Sequence, residues 1–515
     1  MCKGKVWLVG AGPGDPHLIT IKGKDVLDRA QVVIHDALVG HGILAMIPSG
    51  AKCINVGKRA GNHLIPQDEI NRIICDEVLQ GQRVVRLKGG DPYLFGRGGE
   101  EAEYLRNKGI AFEIVPGITS PIAVSAYNGI PVTHRKFASS VHFITAHKRE
   151  GEKLDIDFKS LTALKGTYIF MMGVSALHDI MVGLLAAGMS PDMPAAILSR
   201  GTTRDQKRIV ASISTLEEKV KQEGVLTPAI IVVGHVCSLS DSLSWIEDLP
   251  LFGRKIFVTR PKSRSSKLTS RLRSLGADVV EIPTIKIIPT ENKEFDTALS
   301  YIEKYSWIVF TSPAGVEIFF NKFKSMNLDV RKFYNTKFAV IGAGTSKALF
   351  KQGIIADFVP EIYDTEYLAR GLVGKLSNTD RVMIPRARLG SQVLTETLAQ
   401  SGAELLDLPV YDTVLESHDW LDLDEMIKNR DMDFVTFTSA STVHNFVKLA
   451  TKTKDFSSVM GVCIGRQTNE AAQGYGFKTI VSESATIESM CECILDYVQD
   501  RKAEANGTYL STQAT

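Results

Sequence analysis

The feature that most constrains this chain is an alternation repeated along nearly its whole length. Short Val/Ile/Phe-rich runs are separated by stretches of helical period: VWLVG (Val6 to Gly10), RVVRLK (Arg83 to Lys88), FEIVP (Phe112 to Pro116), VHFITA (Val141 to Ala146) and AIIVVG (Ala229 to Gly234). The pattern returns in KIFVTR (Lys255 to Arg260), WIVFTS (Trp307 to Ser312), KFAVIG (Lys337 to Gly342), RVMIP (Arg381 to Pro385) and MDFVTFTS (Met432 to Ser439). Strands spaced by about 10–15 residues of helical pattern predict βαβ units, largely parallel sheets and an α/β fold class. Such sheets place ligands at the carboxyl ends of their strands, so polar residues there are the first candidates for a site.

At roughly 150 residues per domain, the 515 residues predict three to four domains. One seam stands out between Ser244 and Gly253, where a polar stretch and LPLFGRK separate AIIVVGHV from a fresh strand at Lys255. The predicted division is residues 1–245, a linker at 246–253, a second block at 254–502, and a small, polar, disordered tail at 503–515. No apolar run approaches the roughly 20 residues that span a bilayer. The N-terminus enters a strand-like run at once, leaving no room for a signal peptide, so a cytoplasmic location is expected. Seven scattered cysteines do not suggest a disulfide framework. Cys491 and Cys493 form a C-x-C without a partner cluster and are read as helix residues, so no metal is expected. With 60 Lys+Arg against 58 Asp+Glu, the net charge of +2 argues against a nucleic-acid binder. It leaves room for a local basic pocket that takes an acidic small molecule.

The second block carries an internal echo. Phe310-Thr311-Ser312 precedes a helical pattern and is followed by Ile341-Gly342 with Thr345; Phe437-Thr438-Ser439 is followed likewise by Ile464-Gly465 with Thr468. The expectation is two doubly wound units facing each other across a cleft, with Thr/Ser where strands end and helices begin.

The first block has two glycine loops. GAGPGDP (Gly10 to Pro16) lacks the third glycine of a dinucleotide fingerprint, and Pro13 removes an N–H that a phosphate cradle would use. No Walker lysine follows either. RLKGGDPYLFGRGGEE (Arg86 to Glu101) places Gly89 and Gly90 at a strand end, with Asp91 available to accept from hydroxyls. Each loop taken alone reads more readily as a Gly-rich turn with a helix cap.

Together, and with VGAGPGDPHLITIKG (Val9 to Gly23), VIHDALV (Val33 to Val39), VGKRAGNH (Val56 to His63), VPGITS (Val115 to Ser120), GIPVTHR (Gly129 to Arg135), FMMG (Phe170 to Gly173), RGTTRDQ (Arg200 to Gln206) and TPAIIVVG (Thr227 to Gly234), they resemble uroporphyrinogen-III C-methyltransferase of the tetrapyrrole methylase family. The phrases run in family order over essentially all of residues 1–245. The resemblance implies a two-lobed methylase fold, S-adenosylmethionine as donor, and two methylations of uroporphyrinogen III to precorrin-2. It carries donor binding onto Pro13, Gly89, Gly90, Asp91, Leu94, Thr119, Ser120, Met172, Gly201 and Ala229. Departures are Tyr93 for the usual Phe, Met171 for the usual Tyr, and AHK at 146–148 for T-G-H, the last two bearing on the local pocket shape and not on the activity. An activated methyl group needs alignment and a base for the proton lost, not a metal or enzyme nucleophile. By family analogy Asp36 is that base and Lys58 the proton donor; alone they read as a helix cap and a solvated loop charge. Arg59, Arg97, His134 and Arg135 are candidate clamps for the substrate's carboxylates.

From Arg254 to about Arg501 the chain resembles uroporphyrinogen-III synthase, through VTRP, IPTI, FTSPAGV, VIGAGTSKAL, LPVYDT, FTSAST and CIGRQTNEAA. The resemblance implies two α/β lobes joined by a pair of strands, one lobe from 254–287 and 412–501 and the other from 290–408. It also implies cyclisation of hydroxymethylbilane with inversion of the last pyrrole ring, largely by positioning. Thr311, Ser312, Thr345, Thr438, Ser439, Ser441 and Thr468 are carboxylate-binding candidates at helix starts, with Arg260 and Arg386 adding charge. Each is equally a cap or surface group. Tyr411 matches the family tyrosine that assists departure of the hydroxyl.

The combined expectation is a bifunctional enzyme of sirohaem and cobalamin-type tetrapyrrole synthesis, a homodimer through its methylase half. Its partners are tetrapyrrole substrates, with neither nucleic acid nor membrane. The alternative is a methylase acting at another precorrin carbon, joined to a non-catalytic tetrapyrrole-binding module.

Overall fold

The computed structural model describes residues 4–57, 65–146, 154–259 and 262–505, with the side chains of 262–266 and 505 left aside. Among these residues, twenty strands form four five-stranded sheets. They belong to two compact units: the described residues up to Thr284 together with those from Ser417 onward, and Ile285–Glu416.

The first sheet uses β1 (Lys5–Gly10), β2 (Val32–His35), β3 (Lys52–Asn55), β4 (Arg83–Lys88) and β5 (Phe112–Val115), in the order β3-β2-β4-β1-β5. All its pairings are parallel. β2 is buried at every position and β4 from its second residue on, as strands covered by helices on both faces must be.

The second sheet uses β6 (Val141–Thr145), β7 (Thr167–Met171), β8 (Pro194–Ser199), β9 (Lys207–Ser212) and β10 (Ala229–Val233), in the order β6-β7-β10-β8-β9. Here the expectation of parallel pairing is corrected: only β6 and β7 run parallel, while β7, β10, β8 and β9 pair antiparallel. Apolar runs report burial but not direction, and the short connection from β8 to β9 permits only a reversal.

The third sheet uses β11 (Lys255–Val258), β12 (Asp278–Glu281), β18 (Phe434–Phe437), β19 (Met460–Cys463) and β20 (Lys478–Val481) in the order β12-β11-β18-β19-β20, all parallel. The predicted linker is no free hinge, because Leu251 is fully buried in this sheet's core and its N–H donates to Leu275 O at 2.8 Å. The closing helix, Ile487–Ala505, carries the chain through Ala503–Ala505, where a tail was expected. Residues 506–515 lie outside the described residues.

The second unit holds the fourth sheet: β13 (Ile285–Pro289), β14 (Trp307–Phe310), β15 (Lys337–Val340), β16 (Arg381–Ala387) and β17 (Glu404–Leu415), in the order β13-β17-β16-β14-β15. β17 is twelve residues long, pairing parallel with β16 along its first part and antiparallel with β13 along its last. β13 and the last part of β17 fall where a pair of joining strands was expected. Both belong to the sheet of the unit, so the unit reaches beyond the 290–408 lobe expected from sequence. Its core is aromatic: Phe310 packs on Phe319 and Phe320 of the helix Pro313–Ser325, with Phe323, Phe333 and Phe338 beside them. That helix begins where it does because Ser312 Oγ accepts from the Gly315 N–H at 3.0 Å and Pro313 occupies the first turn.

Candidate functional site

Three strand-end loops of the first sheet meet where glycine is obligatory. A Cβ on Gly117 would lie 2.3 Å from Gly90 O and 2.6 Å from Gly10 Cα. Gly12 and Gly90 exchange backbone hydrogen bonds of 2.8 and 3.2 Å, which ties the loop after β1 to the loop after β4. Asp91 completes the junction, accepting from the N–H groups of Tyr93 (2.8 Å), Leu94 (3.1 Å) and Gly117 (2.9 Å). Its carboxylate is therefore engaged in shaping loops, where the sequence suggested an acceptor for ligand hydroxyls.

Below these loops lies a cavity of about 930 Å³. Pro13, Ser120, Met172, Gly201 and Ala229 line it, so half of the donor candidates are brought together. Gly89 and Gly90 stand behind its wall: their would-be Cβ atoms fall 3.1 Å from Leu38 Cβ and 3.8 Å from Ser120 N. Thr119 is buried at the N-terminus of the helix Ser120–Tyr127, and Leu94 is half-buried; neither lines the cavity. Sequence reasoning missed Leu38, His41 and Thr202, which do line it. Burial, followed by the neighbouring Lys255 cation, lowers the pKa of His41 to about 4.

Asp36, one residue past β2, joins a buried charge network. Arg86 Nη2 donates to Asp36 Oδ1 at 2.5 Å, and Arg86 Nε and Lys88 Nζ reach the same Glu101 oxygen at 3.1 and 3.0 Å. Arg86, Lys88 and Glu101 are 1%, 3% and 0% exposed, and Asp36, with a side chain 30% exposed, closes the network on its solvent side. Burial opposes the Arg86 cation, but Glu101 and Asp36 outweigh it and raise its pKa. For Lys88, burial and the Arg86 charge prevail and lower it.

The clamp candidates are dispersed. Arg97 is exposed, has a left-handed backbone (φ 57°) and forks onto Glu100 at 2.9 and 2.6 Å. His134 stacks on Phe137 with centroids 4.9 Å apart, and Arg135 is exposed. Lys58, Arg59 and Arg260 lie outside the described residues.

In the second unit, Tyr411 is buried with its OH 2.8 Å from Ser312 Oγ. Thr311 is half-buried and Thr345 fully so, each at a helix start. Arg386 is not a free charge: it forks onto Asp407 with two 2.6 Å bonds and donates again to Ser391 O at 2.5 Å. The remaining candidates belong to the first unit. Ser439 caps the helix Ala440–Leu449 in a capping box with Thr442, Ser441 bonds Ser439 at 2.9 Å, Thr438 is half-buried, and Thr468 is buried in the first turn of Arg466–Gly474. Cys491 and Cys493 pack into the third sheet's core, and burial raises both thiols to about 11. Among the described residues, no group of three or more His, Cys, Asp or Glu is placed to hold a metal ion, and no helix is long and apolar enough to cross a membrane.

Two family models match the chain: Tetrapyrrole (Corrin/Porphyrin) Methylases over residues 5–217 and Uroporphyrinogen-III synthase HemD over residues 266–492. The Porphyrin biosynthesis protein HemD of Ruminiclostridium josui is 45% identical over 96% of this chain and 98% of its own length. The Uroporphyrinogen-III C-methyltransferase of Bacillus subtilis is 38% identical over 69% of this chain and 73% of its own. A Methanosarcina barkeri protein named S-adenosyl-L-methionine-dependent uroporphyrinogen III methyltransferase is 48% identical over 47% of this chain and 94% of its own. Glycine-cradled cavity, buried charge network and Ser-Tyr pair thus sit in a two-part enzyme of tetrapyrrole biosynthesis. The chain belongs to the family of fused tetrapyrrole methylases and HemD-type uroporphyrinogen-III synthases.

Proposed function

We propose that the C-terminal half cyclises hydroxymethylbilane to uroporphyrinogen III and that the N-terminal half methylates it twice, giving precorrin-2. The observation that carries the methylase reading is the cavity bounded by Pro13, Ser120, Met172, Gly201 and Ala229. Its volume of about 930 Å³ and its largely apolar walls, with a few polar and charged groups such as Arg200 and Asp205, suit a small organic ligand with a polar end. S-adenosylmethionine, the donor named for the Methanosarcina barkeri relative, supplies an activated methyl group when bound. The chain's own residues orient the reactants and move a proton. Asp36, held at 2.5 Å by Arg86, takes the proton that the macrocycle releases, and Lys58 returns one. Arg59, Arg97, His134 and Arg135 attract the macrocycle's carboxylates.

In the synthase half, Tyr411 assists departure of the terminal hydroxyl, with Ser312 fixing its oxygen. Thr311, Thr345, Thr438, Ser439, Ser441, Thr468 and Arg260 offer donors to substrate carboxylates, while Arg386 acts only through the loop it braces at Ser391. Two copies associate through the methylase half, where Ile118 and Ile122 expose apolar surface (37% and 48%). We place the protein in the cytoplasm, in keeping with free cysteines throughout its described residues.

The test is the full chain supplied with hydroxymethylbilane and S-adenosylmethionine. A dimethylated type III product is expected. Uroporphyrin I alone after oxidation would overturn the synthase reading, and unmethylated uroporphyrinogen III would overturn the methylase reading.

A further inference from the structure

The loop from Arg200 to Gln206 forms one side of the cavity. Arg200, Gly201, Thr202, Thr203 and Asp205 all line it, and Arg204 alone among residues 200–205 does not. The loop is strained: Arg200 and Thr202 hold φ values of 44° and 66°, a region side-chain-bearing residues rarely occupy. Such a conformation persists only where its surroundings impose it. Internal restraints are Thr203 Oγ1 donating to Arg200 O (2.7 Å) and Thr202 N–H donating to Gln206 Oε1 (3.0 Å).

The outer restraint comes from the segment that leads into β18 of the third sheet, within the same unit. Arg204 does not itself line the cavity but pairs with Asp433 at 2.7 Å and with Asp431 at 3.0 Å. Those carboxylates are in turn fixed by Lys255, whose Nζ bonds both Asp431 oxygens (3.0 and 2.9 Å) and whose N–H bonds Asp433 at 2.7 Å. Arg204 and Lys255 have side chains only 14% and 9% exposed, so the cluster is screened little by salt. Lys255, Asp278 and Asp431 themselves reach the cavity wall.

We propose that Arg204 is a positioning residue for the methyl donor: anchored in Asp431 and Asp433, just before β18 of the synthase sheet, it holds the strained loop that carries Gly201 in its binding shape. Donor affinity in the methylase half is thereby set partly by the synthase half. The inference rests on the methylase reading above.

The experiment measures S-adenosylhomocysteine affinity, and KM and kcat for methylation of uroporphyrinogen III, on the full chain. Variants are Arg204→Met, Arg204→Lys, Asp433→Asn and the Arg204→Met/Asp433→Asn pair, with synthase turnover reporting that the fold is intact. Arg204→Met should weaken the analogue and raise donor KM about tenfold with kcat within threefold of wild type, Arg204→Lys should recover most of the loss, and the pair should be no weaker than Arg204→Met alone. Unchanged donor affinity in Arg204→Met, or additive losses in the pair, would overturn the proposal. If Arg204→Met loses synthase turnover, Asp433→Asn and Arg204→Lys decide by the same criteria. Failure of the wild-type chain to bind the analogue would instead remove the methylase reading on which the proposal stands.

Discussion

The Ser312 hydroxyl lies 2.8 Å from the phenolic oxygen of Tyr411, across ninety-nine residues of sequence, while the same Oγ accepts the Gly315 N–H at the start of a helix. Ser312 is thus a cap and a positioning partner at once, and the positive end of the helix adjoins the phenol. Tyr411→Phe should lower synthase turnover on the order of a hundredfold if the phenol donates to the departing hydroxyl. Ser312→Ala should lower it less and cost about 1 kcal/mol of stability through the lost cap. The double variant should be no slower than Tyr411→Phe, because both act at one oxygen; steady-state cyclisation rates and thermal melts check this.

Asp36→Asn should bind S-adenosylhomocysteine as wild type does yet methylate about 10² to 10⁴ times more slowly. Isothermal titration beside single-turnover methylation separates the two quantities. Full methylation by the variant would remove Asp36 from the mechanism.

Arg86→Met should be far more damaging to the fold than Asp36→Asn. It leaves Glu101, 0% exposed, without its guanidinium partner, and breaking one side of a buried pair costs about 3–5 kcal/mol. Denaturant midpoints of the two variants are the comparison.

Gly117→Ala should destabilise the chain by about 1–3 kcal/mol through overpacking, since its Cβ would meet Gly90 O at 2.3 Å. It should also loosen donor binding, because the junction it disturbs supports the loop carrying Gly90. A melt and an analogue titration on the same sample check both.

His41 supplies a pH dependence with a definite sign. Its pKa falls from 6.5 to about 4 in the folded chain, through burial and then Lys255. The unfolded state therefore binds the extra proton first, so this contribution is complete above about pH 6.5 and is lost as pH falls toward 4. The loss is about 3 kcal/mol at most. Asp431 and His35 also act on the ring, so the measurement is the difference in stability between wild type and His41→Asn across that range. The gap between the two should shrink as the pH falls.

The strands were legible because burial on both faces leaves an unbroken apolar run, as in β14 (WIVF). Strand direction in the second sheet was not, since AIIVV has the same composition whether its neighbours run with it or against it. Gly89 and Gly90 announced a close approach. The partner of that approach, Leu38 and the helix after β5, lay outside any local pattern. Charges were the least legible. Arg386 looked available until Asp407, twenty-one residues on, closed over it. The RVVRLK run gave no sign that Arg86 and Lys88 point inward, because Glu101, which makes that tolerable, is supplied by a different element.

The third sheet has a further consequence in the order of synthesis. β11 is central, flanked by β12 and β18, yet β18 lies about 175 residues downstream, beyond the whole of Ile285–Glu416. At about 5–20 residues per second on the ribosome, β11 waits roughly 10–35 seconds for its second neighbour. Throughout that interval a strand buried at all its positions in the finished protein keeps one edge unpaired. The newborn chain is thus a client for whatever shields sticky edges in the cell, and its yield should depend on that protection more than the final stability would suggest.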